Sequence, residues 1–224
     1  MIKKMALVLV AVFSFILQSY DSKPTMINND DALILNRLAS KININDHAIS
    51  LAIKGYQKLK EQGKLINQRY LTIADFSKPS SEERLYIIDM ESTELVLQTL
   101  VAHGKNSGTL FAKNFSNKNE SNKSSLGFYI TGNTYVGKHG ESLRLTGIEN
   151  GINDKAAQRA IVLHGASYVS NTAISQMGYL GRSQGCPAVP SNQVQQIIHT
   201  IQGESCLFIY APNQDYLNRS KLVG

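Results

Sequence analysis

The sequence predicts a mostly-β domain with packed helices, preceded by a short helical segment. Helical periodicity is concentrated near the N-terminus and in one late stretch. Short strand-like runs follow one another from about residue 70 onward. Strand–helix–strand alternation, which a doubly wound parallel sheet requires, is missing. The 224-residue chain is 42% apolar and 18% charged, a balance that excludes wholesale disorder. Two cysteines exclude a disulfide scaffold and a four-cysteine zinc site.

Residues 1–19 carry Lys3 and Lys4, an apolar run from Met5 to Leu17, and the polar exit Gln18-Ser19. That order predicts a secretory signal peptide, with no Cys near the exit to suggest a lipoprotein. The run is too short for a comfortable membrane span, which needs about 20 residues. An uncleaved anchor is the alternative. Elsewhere no stretch is apolar enough to span a membrane. Residues 20–66 predict a helical segment packed on the domain that follows. Asn29, Asp30 and Asp31 offer a cap before Leu33, Ile34, Leu35 and Leu38. Asn45 and Asp46 offer a second cap. Ile49, Ala52, Ile53, Tyr56 and Leu59 then recur at helical spacing for about four turns, with Gly63 near the end.

Residues 67–214 form the expected main domain. Strands are expected at 71–76, 84–89 and 95–101, the last two joined by a hairpin-sized link. Residues 104–125, rich in Asn, Ser, Lys and Gly, read as a long exposed loop, either a lid or a solvated linker. Further strands are expected at 127–131, 143–146 and 160–163. A helix is expected at 191–201, with Ser191 as its cap, and a last buried strand at 206–210. Residues 215–224 read as a frayed C-terminal tail.

Lysine and arginine total 23 against 17 acids. Without Lys3 and Lys4 the balance is 21 basic to 17 acidic residues, mild and scattered. Nucleic-acid binding wants a concentrated basic stripe, so none is expected. The charge is compatible with an acidic polymer such as a cell wall.

The chemistry concentrates in residues 178–190. Gly178, Gly181, Gly185, Pro187 and Pro190 make this a backbone-shaped loop around Cys186. A Cys directly after Gly185 sits where the backbone can approach a ligand. A helix starting at Ser191 would favour its thiolate. Cys206, inside an apolar run, reads as core filler. A Cys186–Cys206 disulfide is a third reading. A nucleophilic Cys needs a base, and His164 ends an apolar strand 22 residues upstream, with Gly165 after it. His103-Gly104 and His139-Gly140 share the dipeptide form. His47 and His199 lie on helices and read as structural. No metal-ligand spacing surrounds His164, and neither a metal nor another cofactor is implied.

His164-Gly165 followed by Ser183-Gln184-Gly185-Cys186 resembles the His-Gly … Ser-x-Gly-Cys signature of YkuD-type L,D-transpeptidases, and within them the murein L,D-transpeptidase catalytic-domain-like branch. Blocks at 101–105, 124–129, 147–154, 159–166 and 181–188 carry the likeness across residues 70–211. The resemblance implies a β-sandwich-like catalytic fold, an exported enzyme of the periplasm or cell envelope, and peptidoglycan stem tetrapeptides as substrate. It implies Cys186 as nucleophile and His164 as base. Backbone N–H groups of Gly185 and Cys186 would hold the oxyanion. Ser183 would bond His164, fixing its tautomer, or the loop. The family usually carries an Arg two residues after the Cys, where this chain has Ala188. Arg182 or Arg159 would then supply the charge, with Gly165, His103 and His139 as further candidate substrate contacts. A hydrolase using the same pair (L,D-carboxypeptidase, amidase or endopeptidase) and a non-catalytic wall-binding module are the alternatives. The sequence sets no oligomeric state.

Overall fold

The computed structural model describes Ile34, Arg37, Leu38 and residues 42–224. The expected signal segment and the Asn29–Asp31 cap lie outside the described residues. Ile34, Arg37 and Leu38 are helical, and Leu38 is fully buried. Helix α1, Asp46–Glu61, starts where expected: the Asn45 side chain accepts from the His47 and Ala48 amides. Asp46 in its first turn and Lys58 and Lys60 in its last complement the helix dipole. Gly63, at φ +65°, follows its end.

The expected stripe is the buried face of α1, with Ile49, Ala52, Ile53, Tyr56 and Leu59 all nearly inaccessible. Gly55 explains how close that face comes to the sheet. A Cβ there would fall 2.0 Å from Phe128 Cζ, so the ring fills the space a side chain would take. A helical Gly costs roughly 0.5–1 kcal/mol against Ala. Here it lets Phe128 reach under the helix while stacking on Phe208 at 4.2 Å.

The strands are β1 (Tyr70–Asp75), β2 (Leu85–Asp89), β3 (Glu94–Thr99), β4 (Gly127–Gly137), β5 (Gly140–Gly147), β6 (Val162–Ala166), β7 (Ala188–Pro190) and β8 (Cys206–Tyr210). Helices α2 (Asn171–Met177), α3 (Val194–Ile201) and α4 (Gln214–Arg219) complete the described elements. The fold is thus sheet-dominated with a few helices. One mixed sheet runs β3-β2-β1-β8-β4-β5-β6-β7. The β1–β8 and β6–β7 pairs are parallel and the others antiparallel. The sheet curls back on itself. Ala102, three residues past β3 at one edge, bridges Ala188 in β7 at the other, with the Ala102 amide donating to Ala188 O at 2.8 Å. Two packed faces thereby come from one sheet.

Several boundaries differ from the sequence expectation. Strand β4 continues to Gly137 because Gly132-Asn133, which has the composition of a turn, lies in a register irregularity between Thr131 and Thr134. The late helix starts at Val194 with Gln193 as N-cap and no side-chain cap bond, so Ser191 is not its cap. The tail is not frayed. Glu149 accepts from the Phe128 amide at 2.7 Å and the Tyr216 hydroxyl at 3.2 Å, and the Ser220 hydroxyl also bonds it. Lys54 and Lys58 of α1 donate to the carbonyls of Val223, Lys221 and Gly224. Tyr216, Leu222 and Val223 are buried. No helix among the described residues is long and apolar enough to cross a membrane.

Candidate active site

The curl of the sheet leaves a cleft of about 840 Å³, and Cys186 and His164 both line it. His164 lies in β6, opposite Ser142 of β5 and Ala188 of β7. It is 3% exposed. Its Nδ1 lies 2.9 Å from Gly165 O. A carbonyl oxygen only accepts, so Nδ1 carries the proton and Nε2 keeps its lone pair. Burial pushes the His164 pKa below its ordinary value, against the Gly165 contact that raises it; His139 and Lys138 add a further lowering.

Cys186 follows Gly185 in a loop that is bonded at nearly every residue. The Gly185 amide donates to Ser183 Oγ at 3.0 Å, and Ser183 Oγ donates to Cys186 O at 2.6 Å. Gly185 O accepts from Ser124 Oγ at 3.0 Å. The Ser183 amide donates to His103 O and the Lys105 amide to Ser183 O, so 103–105 backs the loop like a strand. Gly185 is the position no other residue could fill easily. Its φ is +130°, and a Cβ would meet Lys123 O at 2.9 Å.

The Cys186 thiol lies 3.7 Å from Ala160 O, which can accept its proton. Burial raises the thiol pKa, opposed by the Val162 N–H, Arg159, Lys138 and Cys186's own N–H. The sequence expectation that a following helix N-terminus favours the thiolate is therefore corrected. Strand β7 separates the loop from α3, and the net shift is upward. Both shifts favour the uncharged forms, thiol and neutral imidazole, an arrangement suited to general-base activation. Both cysteines are free, which disposes of the disulfide reading. Cys206 is fully buried in β8.

The other expected site residues divide. Ser183 bonds the loop, and the His164 tautomer is fixed by Gly165 O instead. The Gly185 N–H is committed to Ser183, so of the two expected oxyanion donors the Cys186 N–H is the better placed. Gly165 is not a cleft residue: a Cβ there would strike Val194 of α3 at 3.0 Å. His103 is not one either. It is fully buried, accepts from Arg84 Nη2 on Nδ1 at 2.8 Å, and places Nε2 3.2 Å from Gly108 O. Arg159 and Arg182 line the cleft. Arg159 is spent on the 116–125 segment, donating to Ser116 O at 2.8 Å, Lys123 O at 2.6 Å, and the Ser121 and Ser125 hydroxyls. That segment lines the cleft through Asn119, Glu120 and Asn122. Arg182 makes long hydrogen bonds to Gly108 O at 3.3 Å and Lys105 O at 3.5 Å, and its guanidinium lies 5.6 Å from the centroid of the Tyr179 ring. His139 lines the cleft and stacks on His164 at 4.4 Å between ring centroids.

Ala188 has a physical explanation. It is fully buried with Leu100, Ala102, Ala166, Val169 and Leu180, where a guanidinium would have no room. The cleft's positive charge comes from Lys105, Lys138, Arg159 and Arg182 instead, against one carboxylate, Glu120. The sequence reading missed Tyr168, which lines the cleft four residues after His164, its phenol pushed up to about 12 by burial with the Cys186 thiol adding to the rise. It also missed Lys138 and Tyr135, because ending β4 early hid the β4–β5 hairpin.

Comparison with known proteins gives a family. The family model described as L,D-transpeptidase catalytic domain matches residues 40–210. Among solved structures, an L,D-transpeptidase from Mycobacterium smegmatis is 11% identical with a TM-score of 0.41, covering 64% of this chain and 59% of its own. The helical cell shape determining protein Pgp2 from Campylobacter jejuni is 14% identical with a TM-score of 0.41, covering 65% and 48%. An L,D-transpeptidase from Xylanimonas cellulosilytica is 13% identical with a TM-score of 0.37, covering 82% and 94%. The chain spans about three-fifths of the length of the mycobacterial structures it matches. No curated protein matches.

Proposed function

The chain belongs to the L,D-transpeptidase catalytic-domain family, and from that premise we propose that it is an exported, cysteine-dependent L,D-transpeptidase acting on peptidoglycan stem tetrapeptides. Cys186 is the nucleophile and His164 the base. The observation that carries the reading is that both line one cleft, with the His164 tautomer set by Gly165 O so that Nε2 is the basic nitrogen.

In this reading His164 Nε2 takes the thiol proton as Sγ attacks the carbonyl of the L-centred residue before the terminal D-Ala. The C–S bond forms and the carbonyl electrons move to oxygen. The Cys186 N–H stabilises that oxyanion, a contribution of the kind whose removal costs about 10²–10³ in rate. The imidazolium then gives its proton to the departing amine of D-Ala, leaving a thioester. An acceptor amine attacks the thioester, and the new amide leaves Cys186 as the thiol. Burial of both groups favours their neutral forms at rest, so no charge has to be stored in the cleft before substrate enters. Arg182 is the substrate-facing cation, complementing the carboxylates of a stem peptide. Residues 1–19 are the export signal, 20–66 a packing segment, 67–214 the catalytic domain and 215–224 its packed tail.

The test is incubation of residues 20–224 with disaccharide-tetrapeptide fragments, with products read by mass spectrometry. Cys186-dependent loss of D-Ala with dimeric products is the expected result. Tripeptides alone, with acceptor in excess, would make the protein an L,D-carboxypeptidase. No Cys186-dependent change would overturn the reading.

A further inference from the structure

Resting on the reading of His164 as the base, we propose that His139 is a positioning residue: the β4–β5 turn lays its imidazole flat on His164, fixing the ring and linking its protonation to the hairpin.

The geometry comes from the sheet register. Ser142 of β5 pairs with His164 of β6, and Ser142 Oγ donates to Gly140 O at 3.2 Å. The turn at Lys138-His139-Gly140 is tight, with Gly140 at φ +75° and open space around it. His139 therefore lies against the partner ring, 4.4 Å between centroids with planes 23° apart. His139 is solvent-exposed while His164 is 3% exposed, so the outer ring is the cover of the inner one. Rings stacked in this way share no in-line N–H···N bond. His139 is thus no proton relay and acts by contact and charge. A neutral aromatic face attracts the imidazolium that forms on His164 during turnover; a protonated face repels it.

Lys138 on the same turn, Tyr135 of β4, Cys186, Arg159 and Tyr168 are titratable or charged groups that line the cleft with the pair. Glu141 behind the turn is held 3.6 Å from His199 of α3. Lys105 and Arg182 further along the cleft add positive charge, and Glu120 is its one carboxylate. Among the described residues no carboxylate is bonded to either ring of the stack, and charge on His139 opposes a proton on His164.

The test compares wild type, His139→Ala and His139→Phe, each checked for an unchanged fold by melting. His164 is titrated by heteronuclear NMR, Cys186 alkylation is followed against pH, and kcat and KM are measured on tetrapeptide. His139→Ala uncovers the buried ring, so it should raise the His164 midpoint; it should also lower kcat by about tenfold with little change in KM, within the roughly 10²-fold that a 1 Å misplacement costs. His139→Phe, which keeps an aromatic face on the ring, should restore kcat. An identical His164 titration in all three proteins overturns the proposal. A shifted titration beside a Cys186 alkylation rate that His164→Ala leaves untouched overturns the base assignment, and with it the positioning role, while leaving the contact itself.

Discussion

Replacing Gly185 with Ala tests how the Cys186 loop is built. The new Cβ would lie 2.9 Å from Lys123 O, 3.1 Å from Ile161 Cδ1 and 3.2 Å from Arg159 Nη2. Lys123 O cannot simply retreat, because Arg159 Nη2 holds it at 2.6 Å. The overpacking costs about 1–3 kcal/mol. A side chain at φ +130° adds strain of about 1–2 kcal/mol. A combined cost near 3 kcal/mol lowers the melting temperature by about 6–12 °C in a domain of this size. A shift of the loop by about 1 Å would also slow turnover by about 10²-fold. Gly178→Ala is the control. Gly178 has φ +79° with nothing within 4 Å, so only the strain applies, about 1 kcal/mol and about 2–4 °C. The assay pairs thermal unfolding with the rate of Cys186 alkylation. If Gly185→Ala melts no lower than Gly178→Ala and alkylates at the wild-type rate, the packing argument is wrong.

The remaining predictions concern the supports of the site. Burial, with Arg84 adding to it, pushes His103 down to about 4, whereas an unfolded chain titrates near 6.5. The unfolded state then binds more protons between those values, so stability is full above pH 6.5 and falls by roughly 3 kcal/mol as pH drops to about 4. Denaturant unfolding of His103→Gln should lose that part of the acid slope; an unchanged slope would assign it elsewhere. Arg84 is buried without a bonded carboxylate. It donates through Nε and Nη2 to Val101 O, through Nη1 to Lys78 O and through Nη2 to His103. Arg84→Lys cannot reproduce that fork and should cost about 3 kcal/mol in chemical denaturation; a loss under about 1 kcal/mol would contradict the assigned bonds. Glu149→Ala leaves the Phe128 amide and the Tyr216 and Ser220 hydroxyls without their acceptor. Amide exchange should accelerate across 214–224 and stay unchanged in β1 and β8; uniform exchange would refute a local anchor. His164→Ala should slow Cys186 alkylation at neutral pH, because burial leaves the thiol protonated unless a base removes its proton; an unaltered rate removes His164 from that role.

Much of this architecture is legible in residue order. The α1 stripe and its Asn45 cap are read directly, because local periodicity and capping chemistry decide that helix. Strands β1, β2, β3 and β8 are apolar runs bounded by polar residues, so their positions are legible to within a residue or two. What fails is what depends on distant contacts. Strand β7 is three residues long and owes its conformation to His164, Gly165 and Ala166 on one side and Ala102 on the other. The bulge at Gly132-Asn133 has the composition of a turn, yet β5 pairs with β4 on both sides of it. The tail has no periodicity of its own and folds because Glu149 and α1 accept it. At the site, Cys186 and His164 stand out because a Gly-rich loop and a His directly after an apolar run are local signals, although β6 runs from Val162 to Ala166 and holds His164 at its middle, where the sequence predicts a strand over 160–163. That His103 is buried while His139 lies on the cleft is invisible locally, since both are His-Gly dipeptides. Their fates are set by Arg84 in one case and by the β5–β6 register in the other.

The proposed reaction requires Cys186 to form a thioester with the stem peptide. The most direct measurement is intact-protein mass spectrometry of the rapidly quenched enzyme with disaccharide-tetrapeptide and no acceptor, followed by mapping of the adduct. The expected result is a mass increase equal to the substrate minus D-Ala, carried by Cys186, removed by hydroxylamine and missing in Cys186→Ala. An adduct on another residue, or release of D-Ala by Cys186→Ala, would contradict it.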